Sequence, residues 1–207
     1  DVLDGHWEHF NIDMELLDER VSCFQGTPSP RWIVGLDKSY SGVIIIGTHA
    51  MSGTDDAVLD HTMSSEAWNN MWVNGKKTGE AGLVAYLAGE IGIPVIFSSG
   101  DEKACEEVRK LLGKVVTVAT KKGYGRQCAK LYPLKKVREM IKNGVEEAVK
   151  NIKSFKPCKI KPPIEIKLEY KSTTIVDGIS EIPGRKIIDS KTVLYKAKDV
   201  LNCMKLM

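Results

Sequence analysis

The chain has 207 residues, of which 43% are apolar and 28% charged, and its formal net charge is +3. That length carries one sizeable core, or one domain with a smaller appendage, and the near-average composition excludes collagenous, coiled-coil and disordered classes. So small a charge argues for neither a nucleic-acid nor a membrane-surface partner, and no apolar run approaches the roughly 18 residues of a bilayer span. Five cysteines (Cys23, Cys105, Cys128, Cys158, Cys203) are widely spaced with no C-x-x-C pair. They read as reduced thiols of a cytoplasmic protein, not as a disulfide framework or a cysteine zinc site.

The chain enters on Asp1-Val2-Leu3-Asp4-Gly5-His6, which reads as the end of a strand, so a native N-terminal segment is expected to be missing. Residues 43–46 form a continuous β-branched run between Gly42 and Gly47, the pattern of a strand buried on both faces of a parallel sheet. Leu83, Val84, Leu87, Ala88 and Ile91 then fall at helical spacing after Gly79-Glu80, with Gly92 and Pro94 closing the helix. Residues 94–97 repeat the strand pattern, residues 102–112 have helical spacing with Asp101 as N-cap, and residues 115–119 make a third strand.

Residues 133–152 predict a longer amphipathic helix whose Lys and Glu side chains form a solvated outer face. The proline- and lysine-rich stretch 153–163 breaks periodicity and is the best linker candidate. Strands are expected at 164–170 and 191–197, with a short helix to finish. The expected architecture is α/β: a layered, mostly parallel sheet with flanking helices in residues 1–152, plus a smaller C-terminal β-containing unit in 153–207.

Four histidines are present: His6, His9, His49 and His61. Some of them follow strand-like segments, at the sheet edge where loops converge into binding sites. Imidazole nitrogens completed by a carboxylate suit zinc and leave a position for water. Taken alone, however, a histidine after a strand is more often a capping or surface residue. His6-Trp7-Glu8-His9 is not H-E-x-x-H and does not place both rings on one helix face. Glu80, opening a helix, has an ordinary role as a first-turn acid.

The ordered series Leu3-Asp4-Gly5-His6, Gly47-Thr48-His49-Ala50, Asp60-His61-Thr62-Met63 and Gly79-Glu80-Ala81-Gly82-Leu83-Val84-Ala85-Tyr86 resembles the zinc-dependent D-aminopeptidase family of the DppA type. The similarity runs on through Pro94-Val95, Gly100-Asp101 and residues 121–130 to the Lys-Ala-Lys-Asp that ends at Asp199, and so covers essentially the whole chain. The resemblance implies a metal-dependent aminopeptidase that releases N-terminal D-amino acids from short peptides. It implies His6, His49 and Glu80 as metal ligands, His61 as the catalytic histidine, and Zn2+ as the metal, two per subunit in the full-length protein. It also implies a homo-oligomer, a ring-based decamer being the expected form.

The family carries an Asp-x-Glu-Gly motif before the position of His6, which supplies a bridging carboxylate and another ligand. No residue of this sequence stands there, and Asp13-Met14-Glu15 is a decoy because it follows His6 and lacks the glycine. Asp4 and Asp60 are candidate carboxylates to receive the second ring proton of metal-bound histidines, or else turn residues. Two rival readings stay open. One is a non-catalytic scaffold or binding protein that keeps the fold without a complete metal center. The other, a nucleic-acid surface at residues 135–161, is weakened by the interspersed Glu139, Glu146 and Glu147 and by the absence of aromatic interleaving.

Overall fold

A computed structural model describes residues 1–6, 10–26 and 33–207. The chain divides into two compact units, Asp1–Asp37 and Lys38–Met207. In the first, β1 (Val2–Leu3) and β2 (Cys23–Phe24) pair in parallel. Asp4 is buried and gathers the backbone N–H groups of His6 and Asn11 together with the Asn11 side-chain amide.

The larger unit contains two sheets. The four-stranded one has the order β3 (Val43–Thr48), β6 (Val95–Asp101), β7 (Val116–Gly123), β8 (Ala129–Leu131). Its first three strands are parallel and β8 returns antiparallel as a hairpin. Two helices, α2 (Glu102–Leu112) and α3 (Leu134–Lys150), pack against β6 and β7. Ile96 and Phe97 of β6 form an apolar cluster with Ala148 of α3 and with Phe155, and Val116, Val118, Ile141 and Val145 pack against it. Gly144 of α3 lies so close to Phe97 and Val118 that a Cβ there would overlap both.

The second sheet is antiparallel throughout, in the order β10 (Arg185–Asp189), β11 (Thr192–Ala197), β9 (Ile164–Tyr170), β4 (Trp68–Val73), β5 (Lys76–Lys77). Strand β9 thus joins residues that follow the proline-rich stretch to a hairpin that precedes α1 (Glu80–Glu90). The hairpin turns through Asn74 and Gly75, both at positive φ, the residue pair that a two-residue hairpin turn favours. Helix α4 (Thr173–Asp177) rests on β9, and α5 (Val200–Met204) on β9 and β11.

The parallel strands differ in their surroundings. Every residue of β6, the central strand, is buried. Strand β3, expected to be buried on both faces, is instead an edge strand of its sheet with Ile44 and Ile46 exposed. A β-branched run therefore marks strand propensity here and not two-sided burial.

Ser98 of β6 is fully buried, and its Oγ is the one buried side-chain polar atom without a hydrogen-bond partner among the described residues. A buried unpartnered hydroxyl costs about 1–3 kcal/mol. Ser98→Ala is accordingly expected to raise stability by about 1 kcal/mol, read as a higher urea midpoint at unchanged slope; a lower midpoint would show that the hydroxyl is bonded after all.

Candidate metal centre

Strand β3 ends at Thr48, and His49 is the first residue beyond it. That end is pinned to β6 by a close approach, since a Cβ on Gly100 would overlap the Thr48 carbonyl oxygen. His49 consequently leaves the sheet beside the N-terminus of α2, at the carboxyl edge where parallel strands place ligand sites. Glu80 comes from a different direction, as the first residue of α1. Gly79 caps that helix with extended backbone and no side chain, leaving Glu80 unobstructed at the first turn.

Residues 50–62 form a compact loop whose two arms are tied to each other, which returns His61 to His49. His61 N–H donates to the Ala50 carbonyl at 3.3 Å and Ser52 N–H to Thr62 Oγ1 at 3.2 Å. Gly53 N–H donates to Asp60 Oδ2 at 2.7 Å. From the β7–β8 hairpin, the Arg126 carbonyl accepts from Leu59 N–H at 2.9 Å, and the Arg126 guanidinium pairs with Asp60 Oδ1 at 2.9 Å. Leu59 and Met63, on either side of His61, have φ of 53° and 58°. Left-handed backbone at a leucine costs on the order of 1 kcal/mol, and such strain gathers where a loop must aim a side chain.

The result is a compact constellation. The His49 and His61 rings stack with centroids 3.7 Å apart and planes 19° from parallel. His49 Nε2 lies 3.3 Å and His61 Nε2 3.7 Å from Glu80 Oε1. Each ring turns its other nitrogen to a backbone carbonyl: His49 Nδ1 is 3.1 Å from Ala50 O and His61 Nδ1 is 2.7 Å from Leu59 O. A carbonyl only accepts, so both Nδ1 atoms carry hydrogen and, in the neutral rings, both Nε2 lone pairs face the carboxylate. Met63 N–H donates to the same Glu80 oxygen at 2.6 Å.

Burial works against charge on both His49 and Glu80, yet their mutual attraction prevails. The His49 imidazole is desolvated, but the hydrogen bond and field of Glu80, with help from the Ala50 carbonyl and Glu107, lift its pKa above the ordinary value. Desolvation likewise raises Glu80, and it is outweighed by His49, the Met63 N–H and His61, so its carboxyl is held below the usual range. Two imidazole nitrogens and a carboxylate oxygen converging on one point invite a cation. His49, His61 and Glu80 can each offer one atom, all within 4.8 Å of one another. Ligands about 2.0–2.1 Å from a tetrahedral zinc stand about 3.3 Å apart, the separation found between His49 Nε2 and Glu80 Oε1. The donor set fits zinc.

The candidates named from sequence are distributed as follows. His49, Glu80 and His61 are brought together. His6 belongs to the Asp1–Asp37 unit, exposed just past β1, its N–H bonded to Asp4 Oδ1 and its carbonyl to the Asn11 amide. Trp7, Glu8 and His9 lie outside the described residues. Asp60 does not receive a histidine ring proton: its carboxylate binds Gly53 N–H and Arg126, while backbone carbonyls serve the rings. Sequence reasoning passed over Glu107, a partly buried acid on α2 whose Oε2 accepts from Met51 N–H at 2.8 Å. Burial pushes its carboxyl upward. No spacing signal marks it, because nothing in a helix reading connects residue 107 with residue 51. A cavity of about 430 Å³ is lined by Met51, Thr78, Gly79 and Glu107 together with Lys76, Lys77, Lys103 and Lys110; His49, His61 and Glu80 are not part of that lining.

Comparison with known proteins agrees with this chemistry. A D-aminopeptidase of Bacillus subtilis (strain 168) is 29% identical over 210 residues, covering 100% of this chain and 75% of that protein. The structure superposes with a TM-score of 0.93 on the Zn-dependent D-aminopeptidase DppA from Bacillus subtilis, a self-compartmentalizing protease; identity is 27%, with 100% of this chain and 76% of that one covered. The D-aminopeptidase family pattern matches residues 1–207 from end to end. With the two imidazoles and the carboxylate gathered at the sheet edge and the family pattern spanning every residue, the chain belongs to the D-aminopeptidase family.

Proposed function

We propose that this chain is a zinc-dependent aminopeptidase that hydrolyses the N-terminal amide bond of short peptides and releases D-amino acids. The observation that carries this reading is the convergence of His49 Nε2, His61 Nε2 and Glu80 Oε on one point. Such a convergence also favours the enzyme over a non-catalytic scaffold, which would have no use for three facing lone pairs. His49 and Glu80 would hold the metal, joined by His6 as the family resemblance implies. A zinc ion so held supplies Lewis acidity toward the scissile carbonyl and lowers the pKa of water.

The remaining work falls to His61. Its Nδ1–H is committed to the Leu59 carbonyl, which fixes the tautomer and leaves Nε2 free to accept a proton from the attacking water. The same nitrogen then returns that proton to the departing amine nitrogen. Stacking on His49 and the two-armed loop hold the ring in place for both transfers. A second reading, His61 as a further ligand beside His6, His49 and Glu80, is favoured by its 3.7 Å approach to Glu80 Oε1.

The zinc-loaded chain is expected to cleave D-alanyl p-nitroanilide, to lose that activity with a chelator and to regain it with zinc; inactivity of the loaded protein on both D- and L-alanyl p-nitroanilides would sink the reading. His61→Ala separates the two roles. As the proton carrier it is lost with about a hundredfold or greater fall in kcat at unchanged zinc content, whereas as a ligand it takes zinc with it. Two zinc ions per subunit in the full-length protein, a homo-oligomer in the form of a ring-based decamer, and a cytoplasmic location complete the proposal. The self-compartmentalizing character of the Bacillus subtilis structure supports the assembly, and the reduced-thiol pattern of the sequence supports the compartment.

A further inference from the structure

Two of the residues holding metal in this reading, His49 and Glu80, sit on segments far apart in sequence. Neither is regular structure where it matters: His49 has just left β3, and Glu80 is only the first residue of α1. Something must set their separation, because a ligand pair displaced by even half an ångström binds its metal poorly. The His rings are oriented by carbonyls of their own loop, which fixes tautomer but not the distance to α1.

Glu107 of α2 touches both segments. Its Oε2 accepts from the N–H of Met51, two residues after His49, at 2.8 Å. Its Oε1 lies against Gly79, the residue before Glu80, so closely that a Cβ on Gly79 would overlap that oxygen and also Met51 Cβ. Gly79 has φ −97° and ψ −171°, ordinary extended backbone for any residue, so its lack of a side chain serves the close approach and not the conformation. Helix α2 is itself anchored, since the Asp101 carboxylate caps it through Ala104 N–H. One rigid element therefore presents one carboxylate as a spacer between the two ligand-bearing segments.

We propose that Glu107 is a positioning residue of the metal centre, holding the segments of His49 and Glu80 at ligand distance through its bond to Met51 N–H and its contact with Gly79. The inference rests on the metal-binding reading above, in which His49 and Glu80 are ligands. Partners of this kind around a metal are worth about ten- to a hundredfold in affinity.

The test is zinc affinity of the metal-free chain, measured by competition with a chromophoric chelator, alongside the melting temperature and the kcat and KM of the loaded protein. Glu107→Met fills the same volume without an acceptor, and Glu107→Ala removes the side chain. Both are expected to weaken zinc binding by about ten- to a hundredfold. Glu107→Gln keeps an oxygen for Met51 N–H and is expected to stay within about threefold of the parent chain, the rescue that a positioning role requires. Glu107→Met that melts lower yet binds zinc with parental affinity overturns the proposal in favour of a purely structural role. Glu107→Gln as weak as Glu107→Met overturns it in favour of charge. A parent chain that binds no zinc fails earlier, at the metal-binding reading, before Glu107 is at issue.

Discussion

Glu80→Ala is expected to lower kcat/KM about a thousandfold, about 4 kcal/mol of transition-state stabilisation, and to leave the purified protein without stoichiometric zinc. A single oxygen of this side chain is the meeting point of the site. Oε1 lies 3.3 Å from His49 Nε2, 3.7 Å from His61 Nε2 and 2.6 Å from Met63 N. Truncation leaves two imidazole nitrogens side by side with no carboxylate before them and deprives the Met63 N–H of its acceptor. Because Met63 follows His61 by two residues in left-handed backbone, the same change frees the loop that aims the His61 ring. Glu80→Gln separates these effects. Its amide oxygen still accepts from Met63 N–H but brings no negative charge, so the loop should remain and the zinc should go. Elemental analysis together with kinetics on D-alanyl p-nitroanilide reads both, and parental zinc content in Glu80→Ala would remove Glu80 from the ligand set.

Asp101→Ala is expected to be the most damaging single change outside the metal centre itself, at about 3 kcal/mol. The side chain is 1% exposed, and both oxygens are in use. Oδ1 caps α2 by accepting from Ala104 N–H at 2.8 Å, and Oδ2 accepts from Val58 N–H at 3.0 Å. Loss of an N-cap costs about 1 kcal/mol, and an N–H stranded in the interior about 1–3 kcal/mol more. Val58 belongs to the loop that returns His61, so activity should fall further than the fraction of unfolded protein explains. Asp101→Asn keeps an acceptor for one N–H only and should lie between the two. Urea titration at constant slope, with kcat measured on the folded fraction, gives the comparison; a loss below about 1 kcal/mol would mean that Val58 and Ala104 find other acceptors.

Much of the framework was legible before any coordinates. The β-branched run at 43–46 falls within β3, the apolar spacing after Glu80 is α1, and the pattern after Asp101 is α2 with the cap where it was expected. These are local signals: side-chain shape, helical period and a carboxylate within reach of its own chain. The antiparallel sheet was only half visible. Strand β9 reads clearly from alternation, but β4 and its Asn74-Gly75 turn were passed over, and nothing in either segment states that Met71 will stand beside Leu168. Burial of β3 was misjudged for the same reason, since a strand's place at the centre or edge of a sheet depends on neighbours it does not encode.

The candidate site divides along the same line. His49, His61 and Glu80 were identifiable as the residues able to do chemistry, by residue type and by the family pattern around them, and so was the reaction class. That Asp60 spends its carboxylate on Gly53 and Arg126 was not legible, nor was the contribution of Glu107 from α2. The sequence by itself determined which elements form and which side chains carry reactive atoms, because propensity, period and donor chemistry act within a few residues of each other. Only the tertiary structure decided that two rings twelve positions apart stack at 3.7 Å over one carboxylate oxygen. That distance is set by hydrogen bonds closing a loop and by a glycine-permitted approach of two strands, interactions between residues that the linear order keeps apart.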